Sequence, residues 1–375
     1  MRPFTLKIIG FLVPFLMAVS VIIGIAVYSG EAMPLKWVVD QQQKDPDSIY
    51  FPVDRDTIFA YKLMTYQLRQ PKVVVIGSSR VLNFRAAALN KNPEAFYNAG
   101  FSGMRMKEIE AFLDNLTPET APDVLIIGVD QFWFNTLWSD NRDGASTVTG
   151  EIGLDRIMLT TRRVWQDVLL GKVTVPQILE AKDPIYGGRA MGLDALERGA
   201  GYKPDGSRQT DVVTLNPGGW SDLREESLQE YWNGKGHYKR GKLVNEEALT
   251  DLERIIKKAR ALGIEVIGFG PPFLPEIYQG MMKSEQYQYL PESSAQIKAL
   301  FEENDAYYLE FVDATAIGGT SKEMVDGIHA SEMLSLKIYI EMVKALPDLL
   351  GQYSDIPALE KLIETAPNPH VVYRQ

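Results

Sequence analysis

Short apolar runs that alternate with helical segments are the feature of this chain that most restricts its fold. Val73–Ile76 and Val124–Ile127 are rich in β-branched residues and lack polar alternation, which is typical of strands buried on both faces. Ile264–Phe269 is the next expected strand, and it follows the strongly helical segment Glu246–Leu262, which Gly263 ends. Strands that alternate with helices predict an α/β fold built on a parallel sheet.

The other expected elements give weaker signals. Phe96–Asn98 and Tyr307–Val312 are expected to be short strands. Expected helices cover Val81–Leu89, Met104–Leu116 and Glu332–Leu346. Ligands of such sheets bind beyond the carboxyl ends of the strands, so residues that directly follow a strand are candidates for function.

The stretch Ile8–Tyr28 carries no charge and is long enough to cross a bilayer as a helix. Arg2 and Lys7 precede it and Glu31 follows, so the positive-inside rule places the N-terminus in the cytoplasm and the rest of the chain outside. The alternative is a signal peptide cleaved near Val27–Ser29, which the length of the apolar stretch disfavours. We therefore expect one uncleaved transmembrane anchor.

The expected domain division follows from these segments. An anchor at 1–30 and a juxtamembrane connector at 31–70 precede an α/β domain at 71–350, and a tail covers 351–375. Residues 132–245 are rich in Gly, Asp, Arg and Trp and fit the α/β pattern poorly. We expect them to form a large insertion over the rim of the sheet.

Composition argues against several classes of function. The 375-residue chain has a formal net charge of −10, which disfavours a nucleic-acid partner. It contains no cysteine, which removes disulfides, thiolate nucleophiles and zinc–thiolate sites. Its sequence has no P-loop, no dinucleotide-binding glycine pattern and no HExxH motif, so no metal or cofactor is expected.

Gly77-Ser78-Ser79 follows directly on the first buried strand. Ser79 is the candidate nucleophile, and a helix N-terminus just beyond it would offer backbone N–H donors to an oxyanion. One alternative is that Ser79 merely caps that helix, since serine is common at a strand-to-helix turn. The other alternative is that Ser78 is the nucleophile.

Only three histidines occur in the chain, and His329 stands three residues after Asp326. A hydroxyl nucleophile needs a base, and the base needs an acid that holds its tautomer and stabilises the imidazolium. His329 is the candidate base and Asp326 the candidate acid, the alternative being a plain turn at this Asp-Gly sequence. His237 and His370, in a basic loop and the C-terminal tail, are expected to have no catalytic role.

Two further segments complete a series of four blocks. Asn98–Gly103 reads NAGFSG and Ile127–Gln131 reads IGVDQ. Together with the Gly-Ser-Ser and Asp-x-x-His blocks, they resemble the SGNH (GDSL-like) hydrolase superfamily, and more closely its membrane-anchored members that modify bacterial cell-surface polysaccharides. The resemblance covers about residues 70–350. It implies a three-layer α/β/α flavodoxin-like domain, with backbone oxyanion donors at Ser79 and Gly103.

The chain departs from this family at Asp130, where the pattern has an Asn whose amide helps to bind the oxyanion. An ionised Asp would repel an oxyanion, so Asp130 must be protonated, be turned away or be paired with Arg80. Gln131 and Asn135 are alternative sources of the amide. Arg80, Gln131, Trp133 and Asn135 are the expected substrate-binding residues. Trp133 is included because aromatic faces suit sugar rings, the alternative being that the aromatic residues here pack a lid.

The resemblance implies serine-dependent O-acyl transfer, usually of acetyl, to an extracytoplasmic polysaccharide through an acyl-Ser79 intermediate. It also implies a membrane-bound O-acyltransferase partner that delivers the acyl group. The expected location is the inner (cytoplasmic) membrane, with the catalytic domain in the periplasm. Two alternatives stay open. The first is an esterase or deacetylase that uses the same serine, histidine and aspartate. The second is a catalytically degenerate scaffold in a polysaccharide assembly or export complex, which the unusual Asp130 leaves possible.

Overall fold

A computed structural model describes residues 2–52, 57–138, 154–209 and 219–373, which form a mixed α/β structure. The strands are β1 (Ile49–Tyr50), β2 (Val73–Gly77), β3 (Phe96–Gly100), β4 (Val124–Gly128), β5 (Ala190–Met191), β6 (Gly201–Tyr202), β7 (Arg208–Gln209), β8 (Glu265–Gly270) and β9 (Tyr307–Glu310). The helices are α1 (Arg2–Tyr28), α2 (Leu35–Lys44), α3 (Thr57–Arg69), α4 (Met106–Asp114), α5 (Leu154–Leu169), α6 (Val175–Glu180), α7 (Leu193–Arg198), α8 (Gly219–Asn233), α9 (Glu246–Ala261), α10 (Pro275–Met282), α11 (Tyr289–Glu303), α12 (Glu332–Ala345), α13 (Pro347–Leu350) and α14 (Ile356–Thr365).

The chain divides into two compact units. The first comprises Met1–Met64, Val148–Pro204 and Gln209–Val212, and the second comprises Thr65–Thr147, Asp205–Arg208 and Val213–Gln375. The segment expected to be a connector contains α2, β1 and α3. The segment expected to be an insertion, 132–245, contributes to both units, and its residues 139–153 and 210–218 lie outside the described part of the chain.

The first unit contains the apolar helix α1 and a small sheet. Gly10–Tyr28 of α1 is long and apolar enough to cross a membrane. In the sheet, β1 lies between β5, to which it is parallel, and β6, to which it is antiparallel. The Gln42 side chain donates to Tyr202 O at 2.9 Å and accepts from the Tyr61 hydroxyl at 2.5 Å. Gln42 therefore links α2 and α3 to this sheet.

A five-stranded parallel sheet forms the centre of the second unit, as the alternating pattern predicts. Its strand order is β3-β2-β4-β8-β9, and every neighbouring pair is parallel. Residues of β2, β3 and β4 are all buried, which explains their continuous apolar runs. Because the chain moves from β2 to one side for β3 and to the other side for β4, the strand order reverses at β2. Ligands of open α/β sheets bind at such a switch point.

The segment after β2 corrects the expectation of a helix over Val81–Leu89. It forms two single 3-10 turns, Ser79–Val81 and Ala86–Ala88. The carbonyls of Val81 and Phe84 accept from the Asn98 side-chain amide at 2.8 and 2.9 Å. Because a residue from β3 occupies these acceptors, the backbone does not continue into an α-helix. The expected helix N-terminus behind Ser79 is therefore only one 3-10 turn.

Candidate active site

The structure brings together the three residues predicted as nucleophile, base and acid. Ser79 Oγ lies 2.7 Å from His329 Nε2, and His329 Nδ1 lies 2.6 Å from Asp326 Oδ2. An ionised Asp326 accepts a hydrogen bond from His329 when Nδ1 carries the proton. In a neutral imidazole, Nε2 then has no proton and can accept a hydrogen bond from the Ser79 hydroxyl. The arrangement can remove the serine proton and stabilise the resulting imidazolium.

Asp326 is held as a carboxylate by its own loop. Its Oδ1 accepts from the backbone N–H groups of Ile328 and His329 at 2.9 and 2.8 Å. Burial by itself raises the pKa of Asp326, but the charge of His329 and these hydrogen bonds outweigh it and lower the pKa to about 2. Asp326 is therefore ionised at neutral pH and keeps His329 in the productive tautomer.

The Asp326–His329 loop is supported by residues that sequence reasoning missed. Ser227 Oγ accepts from the Gly327 N–H at 2.9 Å, and the Tyr238 hydroxyl lies where a side chain at position 327 would have to begin. Tyr238 is buried, and burial together with the charge of Asp326 raises its pKa. No sequence pattern connects positions 227 and 238 with 327, so only the folded chain identifies this support.

Val81 packs the turn that carries Ser79 against the ends of three strands. A Cβ at Gly77 would lie 3.0 Å from Val81 Cγ1, a Cβ at Gly100 would lie 2.8 Å from Val81 Cγ2, and a Cβ at Gly128 would overlap Val81. Glycine at the ends of β2, β3 and β4 therefore leaves the space that Val81 fills. This packing fixes the turn at the switch point of the sheet.

Ser78 and Ser79 have different environments, which separates the two nucleophile candidates. Ser78 is buried, and its Oγ accepts from the Arg80 N–H at 3.3 Å, so it caps the 3-10 turn. Ser79 is the one hydrogen-bonded to His329. The geometry therefore favours Ser79 as the nucleophile and Ser78 as the cap.

Arg80 is a buried connector, which corrects its expected role in binding substrate. A guanidinium has five N–H groups, and here all five donate to protein oxygens at 2.7 to 3.1 Å. The acceptors are Ile328 O, Asp130 Oδ1, Gln131 Oε1, Pro271 O and Pro272 O. Arg80 therefore joins the Ser79 turn to the residues after β4 and β8 and to the His329 loop. No donor is left for a substrate.

Asp130 is paired with Arg80, one of the three expected ways to accommodate a carboxylate at this position. The Nη1–Oδ1 distance is 3.1 Å, and both side chains are 1% exposed. Burial raises the pKa of Asp130, while the positive charge of Arg80 acts in the opposite direction. Because its carboxylate faces the guanidinium, Asp130 does not supply the oxyanion donor that the family's Asn supplies. This corrects its expected role.

The expected donor at Gly103 is also corrected. Its backbone N–H donates a hydrogen bond to Gly77 O, at the end of β2, at 3.1 Å. This N–H is therefore not available to an oxyanion. By contrast, the Ser79 N–H has no hydrogen-bond partner among the residues that the structure describes. Of the three expected oxyanion groups, only this N–H remains uncommitted.

The remaining expected substrate contacts lie inside the protein. The Gln131 amide donates to Pro271 O at 3.2 Å, and the Asn135 amide donates to Lys239 O at 2.8 Å. Both of these side chains are buried, as is Trp133. None of the three therefore presents its polar group to a ligand, and neither amide replaces the one missing at Asp130. The aromatic residues Phe132, Trp133 and Phe134 of the run after β4 are buried as well.

The other two histidines pack against aromatic rings. His370 is buried with its ring centroid 4.0 Å from that of Trp220, and burial and the charge of Arg224 lower its pKa to about 4. His237 stacks on Trp138, with 5.4 Å between the ring centroids. Within the described ranges, no group of three or more His, Asp or Glu side chains could hold a metal ion.

Comparison with known proteins returns neither a matching protein-family model nor a curated protein of significant similarity.

Proposed function

We propose that this protein transfers an acyl group, usually acetyl, to a hydroxyl of an extracytoplasmic polysaccharide through an acyl-Ser79 intermediate. The observation that carries the proposal is the hydrogen-bonded series from Ser79 through His329 to Asp326, with distances of 2.7 and 2.6 Å. Such a series activates a hydroxyl for attack on an acyl carbonyl.

In the first half of the proposed reaction, Ser79 Oγ attacks the acyl carbonyl while His329 Nε2 takes its proton. Asp326 stabilises the imidazolium, and the Ser79 N–H donates to the oxyanion. The tetrahedral intermediate collapses, the leaving group receives the proton from His329, and acyl-Ser79 remains. In the second half, His329 takes the proton of a sugar hydroxyl as that hydroxyl attacks the acyl carbonyl. The bond to Ser79 Oγ then breaks, and His329 returns the proton to Oγ.

The proposed function includes a three-layer SGNH fold for the second unit. The order β3-β2-β4-β8-β9 corresponds to the flavodoxin-like order 2-1-3-4-5 of doubly wound sheets. This order supports a three-layer SGNH arrangement, with Ser79 and Asp130 following the two strands that flank the switch point. Helices on both faces of the sheet are the expected counterpart of parallel strands.

The proposed location is the inner membrane, with α1 as a single-pass anchor and the rest of the chain in the periplasm. The length and apolar composition of Gly10–Tyr28 support the anchor, and Arg2 and Lys7 support the orientation. A membrane-bound O-acyltransferase that supplies the acyl group is proposed from the resemblance alone. An anchored transferase would meet such a donor at high effective concentration.

The test uses the full-length protein in detergent, incubated with p-nitrophenyl acetate and analysed by intact mass. We expect an acetyl adduct in the wild type and in Ser78→Ala, and no adduct in Ser79→Ala or His329→Ala. Adding an oligosaccharide acceptor then separates transfer, which produces acetylated sugar, from hydrolysis, which releases acetate alone.

One observation favours a second candidate. The Gly103 N–H is bonded to Gly77 O, and the Asp130 carboxylate is paired with Arg80. Of the three groups expected to bind the oxyanion, only the Ser79 N–H is left to do so. A catalytically degenerate scaffold would account for this incomplete site. In that case, folded wild-type protein would give no adduct, and Ser79→Ala would leave polysaccharide production intact in cells.

A further inference from the structure

Helix α5 presents apolar side chains to the outside of the first unit. Met158, Leu159 and Leu169, together with Leu170 directly after the helix, are between 62 and 84% exposed. Scattered single apolar residues on a surface are ordinary, but several on one short helix mark an interaction surface. We call these four residues the α5 apolar face.

The α5 helix packs against α1 within the part of α1 that can cross a membrane. The contact borders a groove of about 360 Å³, and its walls include Ile22 and Ile23 of α1 and Ile157, Met158 and Trp165 of α5. At 1.5 Å per residue, Ile23 lies about 8 Å before the end of the candidate span at Tyr28. Interfacial helices typically lie about 5–10 Å deep in a bilayer. A helix that contacts α1 here would meet the boundary between headgroups and acyl chains.

Trp165 and Arg162 of α5 also suit that boundary. The Trp165 indole Nε1 donates to the carbonyl of Ile22 at 3.1 Å, an acceptor that belongs to the backbone of α1 itself. An indole in an apolar layer needs such a protein acceptor, because water is scarce there. Arg162 borders the same groove, and it is exposed. Its guanidinium can extend to lipid phosphates.

The lipid bilayer itself is the occupant that these observations favour. The α5 apolar face is continuous, through the groove, with the exposed apolar surface of α1, where Phe11 and Phe15 project outward. Lipid that surrounds α1 would therefore also reach α5. Lying at the surface and crossing the membrane are two different modes of attachment, and this chain has a segment suited to each.

We infer that α5 is an interfacial helix whose apolar face enters the leaflet at the Tyr28 end of α1. This inference rests on the membrane location proposed above, but not on the acyl-transfer chemistry. Together, α1 and α5 attach the first unit to the bilayer at two places, which restricts its rotation at the membrane surface.

Spin-label depth measurements test the inference. The chain has no cysteine, so single cysteines introduced into the full-length protein can carry a nitroxide without other changes. Met158→Cys and Leu169→Cys probe the α5 apolar face in vesicles of phosphatidylethanolamine and phosphatidylglycerol. Phe15→Cys reports the bilayer, and Lys257→Cys, whose native side chain is 61% exposed, reports water. Collisions with oxygen increase in lipid, whereas collisions with a water-soluble nickel chelate increase in water.

We expect labels at 158 and 169 to behave like the label at 15, with oxygen collisions dominating. Labels that follow 257 instead would place α5 in water and overturn the inference. Labels shielded from both reagents would show that another protein surface, such as a second copy, covers the face, and this would overturn it too. The acetyl-adduct assay is read separately, so failure of the proposed chemistry remains distinguishable from failure of this inference.

Discussion

Ser79 Oγ and His329 Nε2 lie 2.7 Å apart although 250 positions separate the two residues in the chain. Arg80 connects the elements that carry them, because it follows Ser79 directly and donates from Nε to Ile328 O at 3.0 Å. The residue beside the nucleophile is thus bonded to the residue beside the base. The buried guanidinium therefore joins the turn that carries the nucleophile to the loop that carries the base.

Replacing the triad acid should impair acylation without removing the nucleophile. In Asp326→Asn, the side chain no longer selects the His329 tautomer that accepts from Ser79. We expect the acylation rate to fall by about 10⁴-fold, the loss typical of a triad whose acid becomes an amide. Stopped-flow release of p-nitrophenol measures this rate. A variant that acylates near the wild-type rate would show that Asp326 does not act through His329.

Stability should depend on the ionisation of Asp326 in acid. Its folded-state pKa of about 2 lies below the ordinary value of 3.8, so the folded protein favours the carboxylate. This contribution is complete above about pH 4 and is lost as the pH falls towards 2; its size is about 2 kcal/mol.

Urea titrations of wild type and Asp326→Asn at several pH values measure this contribution. The difference in their free energies of unfolding should shrink as the pH falls through this window. A constant difference would mean that the carboxylate of Asp326 is not stabilised by folding.

Removing the charge of Arg80 should destabilise the second unit. Arg80→Met leaves the carboxylate of Asp130 buried without its partner, which typically costs about 3–5 kcal/mol. Adding Asp130→Asn removes the uncompensated charge, so the double variant should be more stable than Arg80→Met alone. Denaturant unfolding measures both variants.

Arg254 provides the matched control for this experiment. Its side chain is 47% exposed and pairs with Glu110 and Asp251 at the surface. Arg254→Met should therefore destabilise the protein much less than Arg80→Met does, because exposed ion pairs contribute little to stability. Equal losses in the Arg80 and Arg254 variants would contradict the role of Arg80 as the buried connector.

A side chain at position 327 should disturb the triad loop. In Gly327→Ala, the new Cβ would overlap the Tyr238 hydroxyl, so the loop must shift. We expect a loss of about 1–3 kcal/mol in the free energy of unfolding, as for other overpacked sites, and slower acylation. Combining it with Tyr238→Phe removes the overlapping oxygen and should restore part of both properties. No recovery in the double variant would assign the defect to something other than this contact.

The parallel sheet was predictable because its central strands are buried on both faces. Burial of that kind requires apolar residues at successive positions, as in Val73–Ile76 and Val124–Ile127, and a short window of sequence records this requirement. The expected helix at Val81–Leu89 was wrong because the acceptors it needs are occupied by Asn98, a residue on a different strand. Local pattern carries no information about such a competitor.

The sequence alone determined which residue types could perform chemistry and in what order they occur. The spacing of Asp326 and His329 and the position of Ser79 after a strand are local features, so they could be read directly. Only the tertiary structure decided which polar groups remain available for a ligand. Gly103, Asp130, Arg80 and Gln131 all carry plausible donors or charges, yet each is committed to a partner within the protein. A buried polar group must find a partner wherever the fold provides one, and that partner is often distant in the chain.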